Sequence, residues 1–135
     1  NSKFLSDSKK YHYIRKTIIL PMHRFAADEM ELLPPEATKL AYGMKVSSND
    51  FSVNDVYCVL PNEITVGYAL AVTKTGGARQ VSMVGFDGYE PSDPRQKEMV
   101  DLLALVANVW PEVELRALTP TSYPLKPGSI YAPAG

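Results

Sequence analysis

Residues 56–90 read VYCVLPNEITVGYALAVTKTGGARQVSMVGFDGYE, and this stretch decides the fold class. Val56 to Leu60 is a short apolar run rich in β-branched and aromatic side chains, as a buried strand requires. Pro61 then stands where a first helical turn tolerates the missing N–H. From Asn62 to about Thr75, Ile64, Gly67, Tyr68, Ala71 and Val72 recur at helical spacing and give one buried face. Gly76 and Gly77 stop that helix. Val81 to Phe86 is a second strand, ending in Gly85-Phe86-Asp87-Gly88-Tyr89. The unit is strand, helix, strand, which joins parallel strands by a crossover.

Working outward, Thr17 to Leu20 is long enough for one buried strand closed by Pro21, and Ala26 to Leu33 for a two-turn helix stopped by Pro34-Pro35. Leu40 to Val46 reads as a strand in which Gly43 marks a bend or a close backbone contact. Phe51, between the turn-formers Ser47 to Asp50 and Asn54-Asp55, is either in a hairpin or in a loop. The clearest helix has Asp93 as N-cap, Pro94 at its first position and Gln96 at the reciprocal capping position. Its apolar stripe is Met99, Leu102, Leu103, Val106 and Trp110, opposite Lys97, Asp101 and Asn108. Val113 to Leu118 is the last main strand, and Ile130 and Tyr131 are expected to anchor a Pro- and Gly-rich tail. The resulting expectation is a three-layer α/β/α Rossmann-like fold with a mostly parallel sheet of about five strands.

The chain has 135 residues, enough for one good core, so a single domain is expected over residues 16–135. The polar opening, with three lysines before Tyr11, predicts a linker over residues 1–15 from a preceding domain. A net charge of -1 gives no electrostatic reason to bind nucleic acid or an anionic membrane. No stretch approaches the roughly 18 apolar residues of a membrane span, and the only cysteine, Cys58, lies in an apolar strand where a thiol is an inert small hydrophobe. A reducing, cytoplasmic setting follows. No cofactor motif, Walker loop, zinc pattern or Ser-His-Asp spacing is present.

In open α/β sheets ligands bind beyond the carboxyl ends of the strands. Asn62 and Thr65 open the first main helix there, with Thr65 able to present a hydroxyl to an anion. Gly67 admits the close approach of either a packed strand or a ligand. Gly85, Asp87 and Tyr89 follow the next strand; Asp87 is suited to bind a ribose hydroxyl, orient a base or cap a turn. Thr121 and Ser122 belong to the hydroxyl-rich loop Thr119 to Tyr123. Convergence of these loops predicts a polar pocket for a sugar or a nucleotide. His23, at the carboxyl end of the first strand, is either a surface or capping residue or a catalytic base. Asp87 and Glu90 have no histidine or cysteine beside them in sequence, which argues against a metal site.

The stretch PNEITVGYALAVTKTGGARQVSMVGFDGYEPSDPRQKEM, followed by LTPTSYPL and SIYA, resembles the C-terminal domain of HMG-CoA-lyase-like aldolases associated with bacterial surface-polysaccharide synthesis. The resemblance implies an N-terminal TIM-barrel partner in the same protein and an accessory role for this domain. More distantly, Thr65 and Gly67, then Gly85 with Asp87 and Tyr89, then Thr119 to Tyr123 look like the bacterial sialyltransferases and imply a CMP-sugar site. Leu20-Pro21-Met22-His23 replaces the Gly-Asn-Gly loop of that group, and no histidine follows Tyr89. The expected function is therefore binding of a nucleotide or sugar acid, with a glycosyltransferase using His23, or a structural module that forms a homo-oligomer, as the alternatives.

Overall fold

The computed structural model describes residues 17–132; the linker expected over residues 1–15 lies outside them. The described residues form a mixed α/β structure with three α-helices and eight short strands. The strands are β1 (Thr17–Leu20), β2 (Thr38–Ala41), β3 (Gly43–Val46), β4 (Ser52–Val53), β5 (Tyr57–Leu60), β6 (Gln80–Met83), β7 (Glu114–Ala117) and β8 (Lys126–Pro127). The helices are α1 (Ala27–Glu31), α2 (Thr65–Thr75) and α3 (Pro94–Val109), and a single 3-10 turn covers Met22–Arg24.

The strands pair in three sets: β1 with β2, β5 between β3 and β4, and β7 between β6 and β8. All pairings are parallel except β4 with β5. The count therefore exceeds the expected five, for three reasons. The segment Leu40 to Val46 divides at Tyr42, because the chain changes neighbour there. Tyr42 N–H still donates to Leu20 O at 3.1 Å, whereas Gly43 N–H donates to Val56 O at 2.8 Å. Ser52 and Val53 settle the Phe51 question as an antiparallel hairpin with β5. Lys126 and Pro127 add an edge strand where a tail was expected.

Most of the apolar pattern builds one core. Cys58 and Leu60 of β5, Leu70 and Ala71 of α2, Met83 of β6, and Met99, Leu102, Leu103 and Val106 of α3 form it, with Trp110 at its edge. The stripe foreseen on α3 is buried in full. Asp93 caps that helix by accepting the Arg95 N–H at 2.9 Å. Gln96 does not complete the reciprocal cap: its Oε1 accepts the Tyr89 N–H at 2.8 Å instead. On α2 the buried face is Gly67, Leu70 and Ala71, with Ile64, Tyr68 and Val72 packed at its margin. The helix starts at Thr65, later than Pro61, because Asn62 Oδ1 accepts the Ile64 N–H at 3.3 Å and holds the preceding residues in a turn. At its other end only Gly77 takes a positive φ, of 78°. Tyr131 is 91% exposed and does not anchor the tail, whereas Ile130 is 50% exposed and lines a hollow with Ala117 and Tyr123 of the body.

Tyr42 ties the β1–β2 and β3–β5–β4 sets to α2. Its hydroxyl lies 2.9 Å from Asn54 O and 2.7 Å from Thr75 Oγ1, while its own carbonyl accepts the Tyr68 hydroxyl at 2.8 Å. Cys58 is fully buried, and burial pushes its thiol up to about 11, so it stays protonated and weakly nucleophilic at neutral pH.

Gly67 faces Leu102 and Leu60. A Cβ there would lie 3.5 Å from both Leu102 Cδ atoms and 3.7 Å from Leu60 Cδ1, which is ordinary contact. The close approach at Gly67 is thus to a helix and a strand, and the space still admits a methyl group. Gly67→Ala is expected to stabilise the fold by about 0.5–1 kcal/mol, since it removes the entropic disadvantage of a helical glycine. Urea denaturation checks this; a loss of stability would mean the α2–α3 contact cannot accept the methyl.

Candidate functional site

The expected site residues separate into two groups. The first gathers Gly85, Asp87, Tyr89, Thr121 and Ser122, because the loop after β6 lies against the loop after β7. Ser122 N–H donates to Asp87 O at 2.8 Å, and Gly85 N–H donates to Thr119 Oγ1 at 2.9 Å. Gln96, from the first turn of α3, links both loops: beyond its bond to Tyr89 N–H, its Nε2 donates to Ser122 Oγ at 3.1 Å. Gly88 makes this fit. Its φ is 105°, and a Cβ there would fall 1.8 Å from Ser122 Oγ.

Most of the polar atoms in this group are engaged with one another. Thr121 Oγ1 accepts the Tyr123 N–H at 3.1 Å, and Ser122 Oγ meets Gln96. The Arg95 guanidinium lies over the Tyr89 ring at 4.3 Å while holding both oxygens of Asp93, and holds the Asp93 carboxyl below the usual carboxylate range. Asp87 is exposed, and its carboxylate takes no hydrogen bond among the described residues. The arrangement is a latch between two loops with one solvent-facing acid. Thr119 was marked in the sequence only as the start of the hydroxyl-rich loop and Gln96 only as a capping residue; the capping signature of Gln96 matches its position but not its partner. Beside this latch a second hollow of about 550 Å³, lined by Thr119, Thr121, Tyr123 and Ile130 among others, lies under the exposed tail.

Thr65 belongs elsewhere. It lines a pocket of about 580 Å³ at the carboxyl end of β1, walled by Ile18, Ile19 and Leu20 of that strand, Phe25 and Leu33 around α1, Met44 of β3, and Tyr68 of α2. The polar groups on this wall are Arg24, Glu63, Thr65 and the polar end of Tyr68. Arg24 Nη2 and Glu63 Oε1 form an ion pair between the 3-10 turn after β1 and the loop before α2. The Tyr68 hydroxyl is committed to Tyr42 O, and burial raises it above the ordinary tyrosine range. Thr65 is the first residue of α2, whose N-cap, Ile64, supplies no side-chain acceptor. Neither the Thr65 hydroxyl nor the remaining N–H groups of Arg24 have a partner among the described residues.

Asn62 stands just before this pocket but uses its Oδ1 to shape the turn. Gly67 packs into the core, as described. His23 Nε2 lies 3.2 Å from Met44 O. A carbonyl only accepts, so Nε2 carries the proton and any basic role would fall to Nδ1. Among the described residues no three of His, Cys, Asp and Glu gather in a metal-holding group, and no helix is long and apolar enough to cross a membrane. Arg24 and Glu63 carried a weak signal in the sequence, as opposite charges placed just beyond the ends of β1 and β5.

Compared with known proteins, the chain matches no family model, no curated protein and no solved structure.

Proposed function

We propose that this chain is a Rossmann-like, three-layer binding domain, accessory to an aldolase-type enzyme, which holds a nucleotide or a sugar acid in the pocket at the carboxyl end of β1. The observation that carries this reading is the pocket itself, about 580 Å³ in volume. Ligand sites for small molecules run from roughly 300 to 1,000 Å³ and combine apolar walls with a few placed polar groups. Phe25 and Tyr68 offer surfaces for a base or a sugar ring, while Arg24 and Thr65 offer donors for its polar end. The position, past a parallel strand and beside a helix N-terminus, is where α/β folds hold ligands. Binding is favoured over transfer because neither His23 nor Asp87 lines the pocket.

Calorimetric titration tests this reading with CMP, UMP, N-acetylneuraminic acid and inorganic phosphate. Micromolar affinity for CMP or the sugar acid, about 8 kcal/mol, is expected, and Ile19→Trp should abolish it by filling the pocket from β1. Absence of binding to any of these, or binding that survives Ile19→Trp, overturns the proposal.

A further inference from the structure

Among the described residues the walls of the pocket carry one cation, Arg24, and one anion, Glu63, and their surroundings differ. The Arg24 side chain is 33% exposed and the Glu63 side chain 64%. Arg24 therefore sits deeper against the apolar wall, where a charge that loses its partner is costly. Glu63 faces water and is readily solvated when released. The pair itself is weak, because exposed ion pairs contribute little against solvent and salt.

A guanidinium presents five N–H donors suited to two-pronged recognition of a carboxylate or phosphate. Among the described residues only Nη2 is engaged, by a single oxygen of Glu63. Thr65 adds a hydroxyl on the same wall, at the positive end of the α2 dipole. The donor side of the pocket is thus under-used, and the acceptor that occupies it is a surface side chain rather than a buried one.

Resting on the pocket as the ligand site, we infer that its ligand is an anion, a carboxylate or a phosphate monoester carried on an apolar or aromatic body, and that Glu63 is a built-in competitor for Arg24. Bound anion displaces the Glu63 carboxylate from Arg24 and takes its place, with Thr65 donating alongside. Glu63 then turns to water. The competition sets a threshold: weakly held anions fail to displace Glu63, and only those whose body also fills the apolar walls remain.

The experiment compares CMP with cytidine, and N-acetylneuraminic acid with its methyl ester, against wild type, Glu63→Gln, Arg24→Met, Ile19→Trp and the remote control Glu98→Gln. The nucleotide and sugar arms distinguish a phosphate from a carboxylate source. Glu63→Gln is expected to tighten binding of whichever anion binds by about two- to fivefold, the strength of an exposed pair, and to leave its neutral analogue unchanged. Arg24→Met should weaken the anion by about tenfold or more, and Glu98→Gln should change neither. Melting curves confirm that each variant is folded. If Glu63→Gln leaves the anion unchanged or weakens it while Ile19→Trp still abolishes binding, the pocket stands and the competitor role is overturned. If Glu98→Gln tightens the anion equally, the effect is general charge and the inference fails. If no anion binds, or Ile19→Trp has no effect, the pocket reading falls and this one with it.

Discussion

Replacing Leu102 with alanine is expected to cost between about 2 and 5 kcal/mol, toward the upper half of that span. Leu102 is 1% exposed and both of its Cδ atoms face Gly67, a residue with no side chain to move into the space left behind. Collapse would require the α2 backbone to shift toward α3 within a core in which Leu60 and Leu70 are themselves buried. The cavity therefore persists. Gly67→Ala placed in the Leu102→Ala background should recover more stability than it adds to the wild type, because the methyl now fills part of a void. Urea denaturation of the four variants reads both the loss and the coupling. A loss below about 1 kcal/mol would mean that α2 and α3 do not share the core described here.

The second large effect is expected at Gly88. Gly88→Ala places a side chain at φ 105°, where a residue with a Cβ is strained, and sets that Cβ 1.8 Å from Ser122 Oγ. Strain of about 1–3 kcal/mol adds to the loss of the Gln96–Ser122 bond, for a total of about 2–4 kcal/mol. Removing the hydroxyl as well, by Ser122→Ala, relieves only part of this, since Ser122 Cβ would still lie 3.1 Å away. The thermal midpoint reports the loss, and faster proteolysis after residues 85–90 reports the opened latch. A variant that melts with the wild type would show that the two loops part without consequence, and their role as a latch would be wrong.

The pocket reading does not depend on the latch, and the separation of the two was not legible in the sequence. Sequence order suggests that everything at the carboxyl ends of strands shares one edge. Gly85, Asp87, Tyr89, Thr121 and Ser122 do meet, because adjacent parallel strands β6 and β7 bring their loops together. Thr65 was grouped with them by the same logic, but β5 pairs with β3 and β4 rather than with β6, so the start of α2 looks toward β1 and the 3-10 turn. That choice of neighbour is made by long-range pairing, which no local pattern encodes.

Local signals served best where the chain itself supplies the answer. Asp93, Pro94 and the spacing of Met99, Leu102, Leu103, Val106 and Trp110 define α3 without help from elsewhere. The start of α2 was harder, because Pro61 satisfies a helix-start pattern while Asn62 captures the Ile64 N–H and delays the helix to Thr65. Leu40 to Val46 reads as one strand because its composition is continuous; only the exchange of partner between Tyr42 and Gly43 divides it. Gly43, read as either a bend or a close backbone contact, is a close contact: a Cβ there would meet Tyr57 Cβ at 2.8 Å. Arg24 and Glu63 went unmarked as site residues and Tyr68 was read only as part of a buried helix face, because each is unremarkable in its own segment and the pocket exists only once those segments are brought together.

The most direct test of the central claim is where on the chain a ligand is felt. Backbone amide shifts of the isotope-labelled protein, followed during titration with CMP and separately with N-acetylneuraminic acid, locate it without assuming any residue. Saturable shifts are expected at Ile19, Arg24, Phe25, Thr65 and Tyr68, with little change at Asp87 and Ser122. Shifts confined to residues 85–90 and 119–123 would move the site to the latch, and no saturable shift with either ligand would contradict the claim that this chain binds one.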